Sequence, residues 1–281
     1  MAVVGMIVHP ERELASELAR DAAKWLSDRG HEARLPLADA GIAGLPELGS
    51  PEATFTRGLD VVVSLGGDGT MLRTVDMVAA DGVPVIGVNV GQLGYLTEVE
   101  PQGFRMALKR FLAGSYEVEE RMLIETTVEA SGARYLALNE TVLEKTPMGH
   151  TVRLGVSVDG DFFTPYAADG LIVATPTGST AYALSARGPI VAPTHRCLLL
   201  TPVSPHMLFD RTLVLDPSAS VRIEVLGQRA ATLSVDGRTL ATLDQGDAIV
   251  CTAAAVAARL VMFGPRDFLR ILKSKFGLSD R

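Results

Sequence analysis

The sequence predicts an α/β domain followed by an all-β, sandwich-like domain, with a last helix that returns to the first domain. Three observations carry this. The first hundred residues alternate apolar runs with amphipathic helical stretches, the pattern of a parallel sheet with helices on its faces. After residue 113 the chain becomes a series of short β-rich runs separated by Asp-Gly and Gln-Gly turns. Residues 267–276 (DFLRILKSKF) then turn helical again. On this reading the α/β domain spans residues 1–103 and is joined by 265–281, while the all-β domain spans 104–264.

The elements follow in order. Residues 2–8 make an apolar first strand. Residues 11–29 place Leu14, Leu18, Ala22, Trp25 and Leu26 at helical spacing, with Gly30 as the stop. Residues 36–58, rich in Gly, Pro and Ala, read as irregular. Residues 59–65 (LDVVVSL) are a continuous β-branched run, the mark of a buried parallel strand. A helix over 70–80, a second buried strand over 84–89 (PVIGVN) and a helix over 101–113 complete the first part. Strand-like runs then recur at 122–129, 137–144, 152–158, 171–174, 212–215, 221–226, 231–235 and 248–252. Ser-Val-Asp-Gly occurs at 157–160 and again at 234–237, which reads as two similar hairpin turns.

Composition narrows the function classes. With 47% hydrophobic and 21% charged residues over 281 positions, the chain can bury a sizeable core. Its net charge of −7 argues against a nucleic-acid partner, though not against phosphate ligands held by backbone N–H groups. No run approaches the ~18 apolar residues of a membrane span. The first residues lack the basic start and small-residue cleavage site of a signal peptide. Cys197 and Cys251 read as two buried free thiols of a reducing compartment, so the expected location is the cytoplasm.

Several common signatures are absent: no Gly-Lys-Ser/Thr of a Walker loop, no Gly-x-Ser-x-Gly elbow, no second His at zincin spacing after His31-Glu32. His195, Cys197 and His206 do not have ligand spacing, and no metal-binding residues are expected. Three other segments stand out. Gly66, Gly67, Asp68 and Gly69 lie between a buried strand and a helix, where small residues and free N–H groups suit an anion. An acid inside such a cradle is costly, unless it binds Mg²⁺ or accepts a proton from an attacking hydroxyl; the plain alternative is a helix cap. Residues 89–98 (NVGQLGYLTE) end a second strand and form either another wall of one crevice or a structural loop. Residues 169–182 (DGLIVATPTGSTAY) run from a strand into hydroxyls and small residues, which suit a flat ring or a phosphate, or else a capped turn.

Taken together these segments resemble the NAD kinase family. GGDGT, NVGQLGYLTE, the Asn139-Glu140 pair and DGLIVATPTGSTAYALSARGPIV stand in that family's order and approximate spacing, over nearly the whole chain. The resemblance implies transfer of the terminal phosphoryl of ATP, or of polyphosphate in some members, to the 2′-hydroxyl of the adenosine ribose of NAD. Asp68 would be the catalytic base. Gly66, Gly67, Gly69 and Arg73 would serve the phosphate loop, and Asn139, Glu140, Asp169, Thr180, Ala181, Tyr182 and Ser185 the dinucleotide. Mg²⁺ or another divalent metal would come with ATP, and a homodimer or homotetramer is implied. There are two departures. The family commonly has PHSLSxRP where this chain reads PHMLFDRT (205–212), and often Gln where Arg238 follows Asp236-Gly237. A lipid kinase sharing the GGDGT loop would leave TPTGSTAY unexplained, and a silent NADP-binding sensor would not need Asp68.

Overall fold

The computed structural model describes residues 1–91, 94–146, 150–265 and 267–278. Gln92 and Leu93 of the second glycine-rich segment, and residues 266 and 279–281 of the returning tail, lie outside the described residues. The chain divides into two units, Met1–Glu120 with Ala258–Arg281, and Arg121–Ala257.

The first unit runs through β1 (Val3–Val8), α1 (Glu13–Ser27), β2 (Glu32–Pro36), α2 (Leu37–Ala43), β3 (Gly49–Ser50), α3 (Glu52–Phe55), β4 (Val61–Gly66), α4 (Asp68–Val78), β5 (Val85–Asn89) and α5 (Phe104–Leu112). Its strands are parallel, in the order β5-β4-β1-β2-β3. β4 and β5 are buried along their whole length, as their apolar, Val-rich runs demand. From β1 the chain builds to one side, and from β4 to the other. The order therefore reverses between β1 and β4, where an open parallel sheet leaves a crevice beyond the strands' carboxyl ends.

Two expectations for this unit change. The region 36–58 is not irregular, because α2, β3 and α3 occupy much of it. These elements are too short to show a period, and α2 is fixed by burial of Asp39, Ala40 and Ala43. In α1 the buried face is Ala15, Ala19, Ala22, Ala23, Trp25 and Leu26, while Leu14 is exposed. The alanines let the helix approach the sheet closely and rotate Leu14 outward. α5 buries Phe104, Ala107, Leu108 and Phe111 in the same core.

The second unit is antiparallel. It comprises most of β6 (Glu117–Val128), then β7 (Arg134–Ala137), β8 (Glu140–Lys145), β9 (Val152–Val158), β10 (Asp161–Ala168), β11 (Gly170–Ala174), the one-turn helix α6 (Tyr182–Ser185), β12 (Leu198–Val203), β13 (Leu213–Leu215), β14 (Val221–Val225), β15 (Ala231–Val235), β16 (Arg238–Leu243) and the start of β17 (Ala248–Met262). One sheet has the order β13-β12-β11-β8-β15-β16. The other contains β10-β9-β14-β17, with β6 and β7. Leu143, Leu171 and Leu233 of the first sheet share a core with Leu154, Val156 and Ile223 of the second, which makes the unit a sandwich. Strands β7, β10, β12 and β16 were not anticipated. β10 is an edge strand carrying Pro165 and a bulge after Phe162, and β12 carries Pro202, so both break the strand signal. β17 runs ten residues past the expected end at 252 through an Ala-rich stretch of weak β-propensity. Both Ser-Val-Asp-Gly segments are hairpin turns, with Asp159 at φ 52° and Asp236 at φ 47°.

β17 then enters the first unit, where Leu260 pairs in parallel with Val85 and Val261 joins the core. α7 (Phe268–Phe276) follows, capped by Asp267, whose carboxylate accepts the Arg270 N–H at 2.9 Å. No helix among the described residues is long and apolar enough to cross a membrane.

Candidate active site

The sequence-predicted residues fall into two groups, one in each unit. In the first unit, Gly66 ends β4, Gly67 occupies the N-cap, and Asp68 and Gly69 open α4. The N–H groups of a first helical turn have no partner within the helix and carry its positive end. Beside them lies an open cleft of about 400 Å³ lined by His9, Pro10, Arg12, Gly67, Gly69, Thr70 and Arg73. This is the crevice at the β1/β4 reversal.

Arg73 lines this cleft as a tethered cation. Its guanidinium pairs with Asp39 at 2.5 Å and donates to the Val8 carbonyl at 2.9 Å. Asp39 is 1% exposed and also accepts the Val8 N–H at 2.8 Å, so the trio locks the end of β1 to α2 and α4. Arg12 was not foreseen. It stands at the N-cap of α1 and donates to the Val90 carbonyl at 2.6 Å. A cation at a helix N-terminus opposes the helix dipole, and that local conflict is the signal by which sequence could have flagged it.

Asp68 is oriented by the second glycine-rich segment. The Tyr95 N–H donates to Oδ2 at 2.8 Å and the Leu96 N–H to Oδ1 at 3.0 Å. Burial first, then the Asp68 charge, raise the Tyr95 hydroxyl's pKa.

In the second unit, Asn139 and Glu140 sit on a corner held by Asp236. Its carboxylate accepts the N–H groups of Leu138, Asn139 and Glu140 at 2.8, 2.8 and 3.1 Å. Sequence reasoning took Asp236 only as a turn residue. The TPTGSTAY loop packs on the same corner. The Thr175 hydroxyl donates to the Leu138 carbonyl at 2.5 Å, and the Thr175 N–H to the Asn139 carbonyl at 2.8 Å. Gly178 lies so near Asn139 that a Cβ would fall 2.7 Å from its Cα. The chain then turns through Thr180 and Ala181 into α6, where Tyr182 donates its N–H to the Glu140 carboxylate.

Glu140 is 6% exposed, and its Oε2 has no hydrogen-bond partner. Burial first, then the nearby Asp236 charge, push its carboxyl up to about 7, against the Tyr182 N–H. Asp169, just before β11, pairs with Lys145 at 2.9 Å. Burial, and then Glu144, Asp169 and Glu140, raise the Tyr182 hydroxyl's pKa, and that hydroxyl donates to Glu144 Oε2 at 3.5 Å. Ser185 is exposed at the end of α6. Among the described residues no three His, Cys, Asp or Glu side chains gather closely enough to hold a metal ion.

Residues 4–116 match the family model of the ATP-NAD kinase N-terminal domain, and residues 138–263 that of the ATP-NAD kinase C-terminal domain. The NAD kinase of Heliobacterium modesticaldum is 43% identical, over 98% of both chains. That of Symbiobacterium thermophilum is 40% identical over 98% of this chain and 99% of its own. Among solved structures, yeast NADH kinase complexed with NADH superposes with a TM-score of 0.91 at 27% identity, covering 100% of this chain and 89% of that one. An NAD kinase from Archaeoglobus fulgidus in complex with ATP gives 0.77 at 25% identity, covering 100% of both. Fold and matched domains define a nucleotide-dependent phosphotransferase. The chain belongs to the NAD kinase family, whose reaction is phosphoryl transfer from ATP to NAD.

Proposed function

We propose that this chain transfers the terminal phosphoryl of ATP to the 2′-hydroxyl of the adenosine ribose of NAD, giving NADP, with Asp68 as the base. The observation that carries this reading is the fixed Asp68 carboxylate at the mouth of a glycine-rich helix N-terminus. The hydroxyl oxygen attacks the γ-phosphorus, the bond to the β-bridging oxygen breaks to release ADP, and the hydroxyl proton passes to Asp68. Each Asp68 oxygen spends one lone pair on a backbone N–H and keeps another for that proton.

The cleft lined by Arg12, Gly67, Gly69, Thr70 and Arg73 suits the donor's phosphates, through N–H groups and two cations. Asn139, Glu140, Asp169, Thr180, Ala181, Tyr182 and Ser185 are assigned to the dinucleotide: an amide for a base edge, carboxylates for hydroxyls. With no cage of acids or imidazoles among the described residues, a divalent metal would arrive on the donor's phosphates and neutralise their charge. Two buried free thiols favour a cytoplasmic location. Edge strands such as β10 favour a homo-oligomer, dimer or tetramer.

The test is NADP formation from NAD, ATP and Mg²⁺. Asp68→Asn should keep the fold and lose roughly 10²–10⁴-fold in turnover. A purified variant that turns over within about threefold of the parent, well short of that scale, removes Asp68 as the base.

A further inference from the structure

We propose that the turn at residues 94–96 is an amide clamp that sets the direction of the Asp68 carboxylate, and that Gly94 is a positioning residue for phosphoryl transfer. This rests on the reading of Asp68 as the base.

An acid in the first turn of a helix ordinarily faces its own helix's free N–H groups. Asp68 instead gives both oxygens to N–H groups 27 and 28 residues away, those of Tyr95 and Leu96. One bond would leave the carboxylate free to swing about that contact. Two bonds on different oxygens fix both side-chain torsions and the plane of the group.

The clamp is itself rigid. Leu96 and Thr97 are buried. Just beyond, the Glu98 and Val99 N–H groups donate to the Gly87 carbonyl at 3.2 and 3.0 Å, and the Asn89 N–H to the Val99 carbonyl at 2.8 Å. Val99 thereby bridges to Val88 like a short extra strand beside β5. The Tyr95 ring lies under the Lys275 ammonium of α7, 5.3 Å from its centroid.

Gly94 reveals the constraint. What excludes a side chain is the carboxylate. A Cβ at residue 94 would fall 2.7 Å from Asp68 Cγ and closer still to Oδ1, with no backbone atom among its nearest neighbours. The residue is glycine because the base occupies the space.

Gly94→Ala should therefore turn the carboxylate away without breaking the turn. We expect kcat to fall by about 10- to 100-fold while KM for NAD and for ATP stays within about threefold, the pattern of a misdirected reacting group. The decisive measurement is a cycle with Asp68→Ala, which lacks the group that the new methyl would strike. On that background Gly94→Ala should change the residual rate less than about twofold. An equal loss on both backgrounds, a parental kcat in Gly94→Ala, or a loss expressed in KM alone overturns the clamp. Should Gly94→Ala fail to fold, the double variant should fold, and a double variant that does not fold also overturns it. A near-parental rate in Asp68→Ala sinks the base itself, and the clamp's catalytic role with it. That result is distinct from an inactive Asp68→Ala beside an active Gly94→Ala.

Discussion

Asp159 and Asp236 stand in identical Ser-Val-Asp-Gly stretches and adopt nearly the same backbone, yet their carboxylates hold different things. Asp159 accepts one N–H, from Ser220. Asp236 gathers three and so shapes the Asn139-Glu140 corner. It also places a charge beside Glu140, and that has a consequence for pH. The Glu140 carboxyl sits at about 7 when folded against 4.5 as a free group, so the native state keeps a proton that the unfolded chain releases. Its contribution to stability is present below about 4.5 and is lost as pH rises through about 7. Glutamine cannot ionise. Glu140→Gln should therefore gain on the parent by roughly 2–3 kcal/mol between pH 5 and pH 8, read from urea unfolding at both values. A difference that stays flat with pH refutes it. At this scale the sequence showed the residues whose type conflicts with their surroundings, such as an acid within glycines. Asp236 was hidden because its role depends on which strand its hairpin abuts, and identical neighbours cannot encode that.

At the scale of elements, legibility followed burial. β4 and β5 are buried on both faces and read directly as unbroken apolar runs. β9 and β15 were found to the residue because their flanking turns carry glycine at positive φ. β2, β7, β10, β12 and β16 were missed, β10 and β12 for their prolines, and α2, β3 and α3 for want of length. The TPTGSTAY loop was legible as a motif but not as a packed piece. Its Gly178 meets the Asn139 backbone, which cannot move aside as a flexible side chain could. Gly178→Ala should destabilise the protein by about 1–3 kcal/mol through overpacking. It should also raise KM for NAD far more than KM for ATP. A thermal melt and paired titrations check this, and an unchanged melt with matched KM values would count against the docking of that loop.

For the molecule as a whole, the asymmetry of the two units matters most. The second is one continuous segment with a core of its own, whereas the first is assembled from two separated pieces. Residues 121–257 expressed alone should give a cooperative melt by circular dichroism. Residues 1–120 alone should not, because they lack the end of β17, Val261 and α7. A cooperative melt from the N-terminal piece would refute this. The out-and-back path also sets a timetable during synthesis. The parallel sheet emerges from the ribosome first, but the Val85 end of β5 must wait for Leu260. At roughly 5–20 residues per second, the intervening segment delays that by on the order of ten seconds. Throughout that wait only the far end of β5 is covered, by Val99 beside Val88, and its Val85 end is an open apolar edge, the form most prone to pair with a neighbour. The half made second is thus the half whose residues are complete first, and the unit bearing Asp68 is the one left unfinished longest.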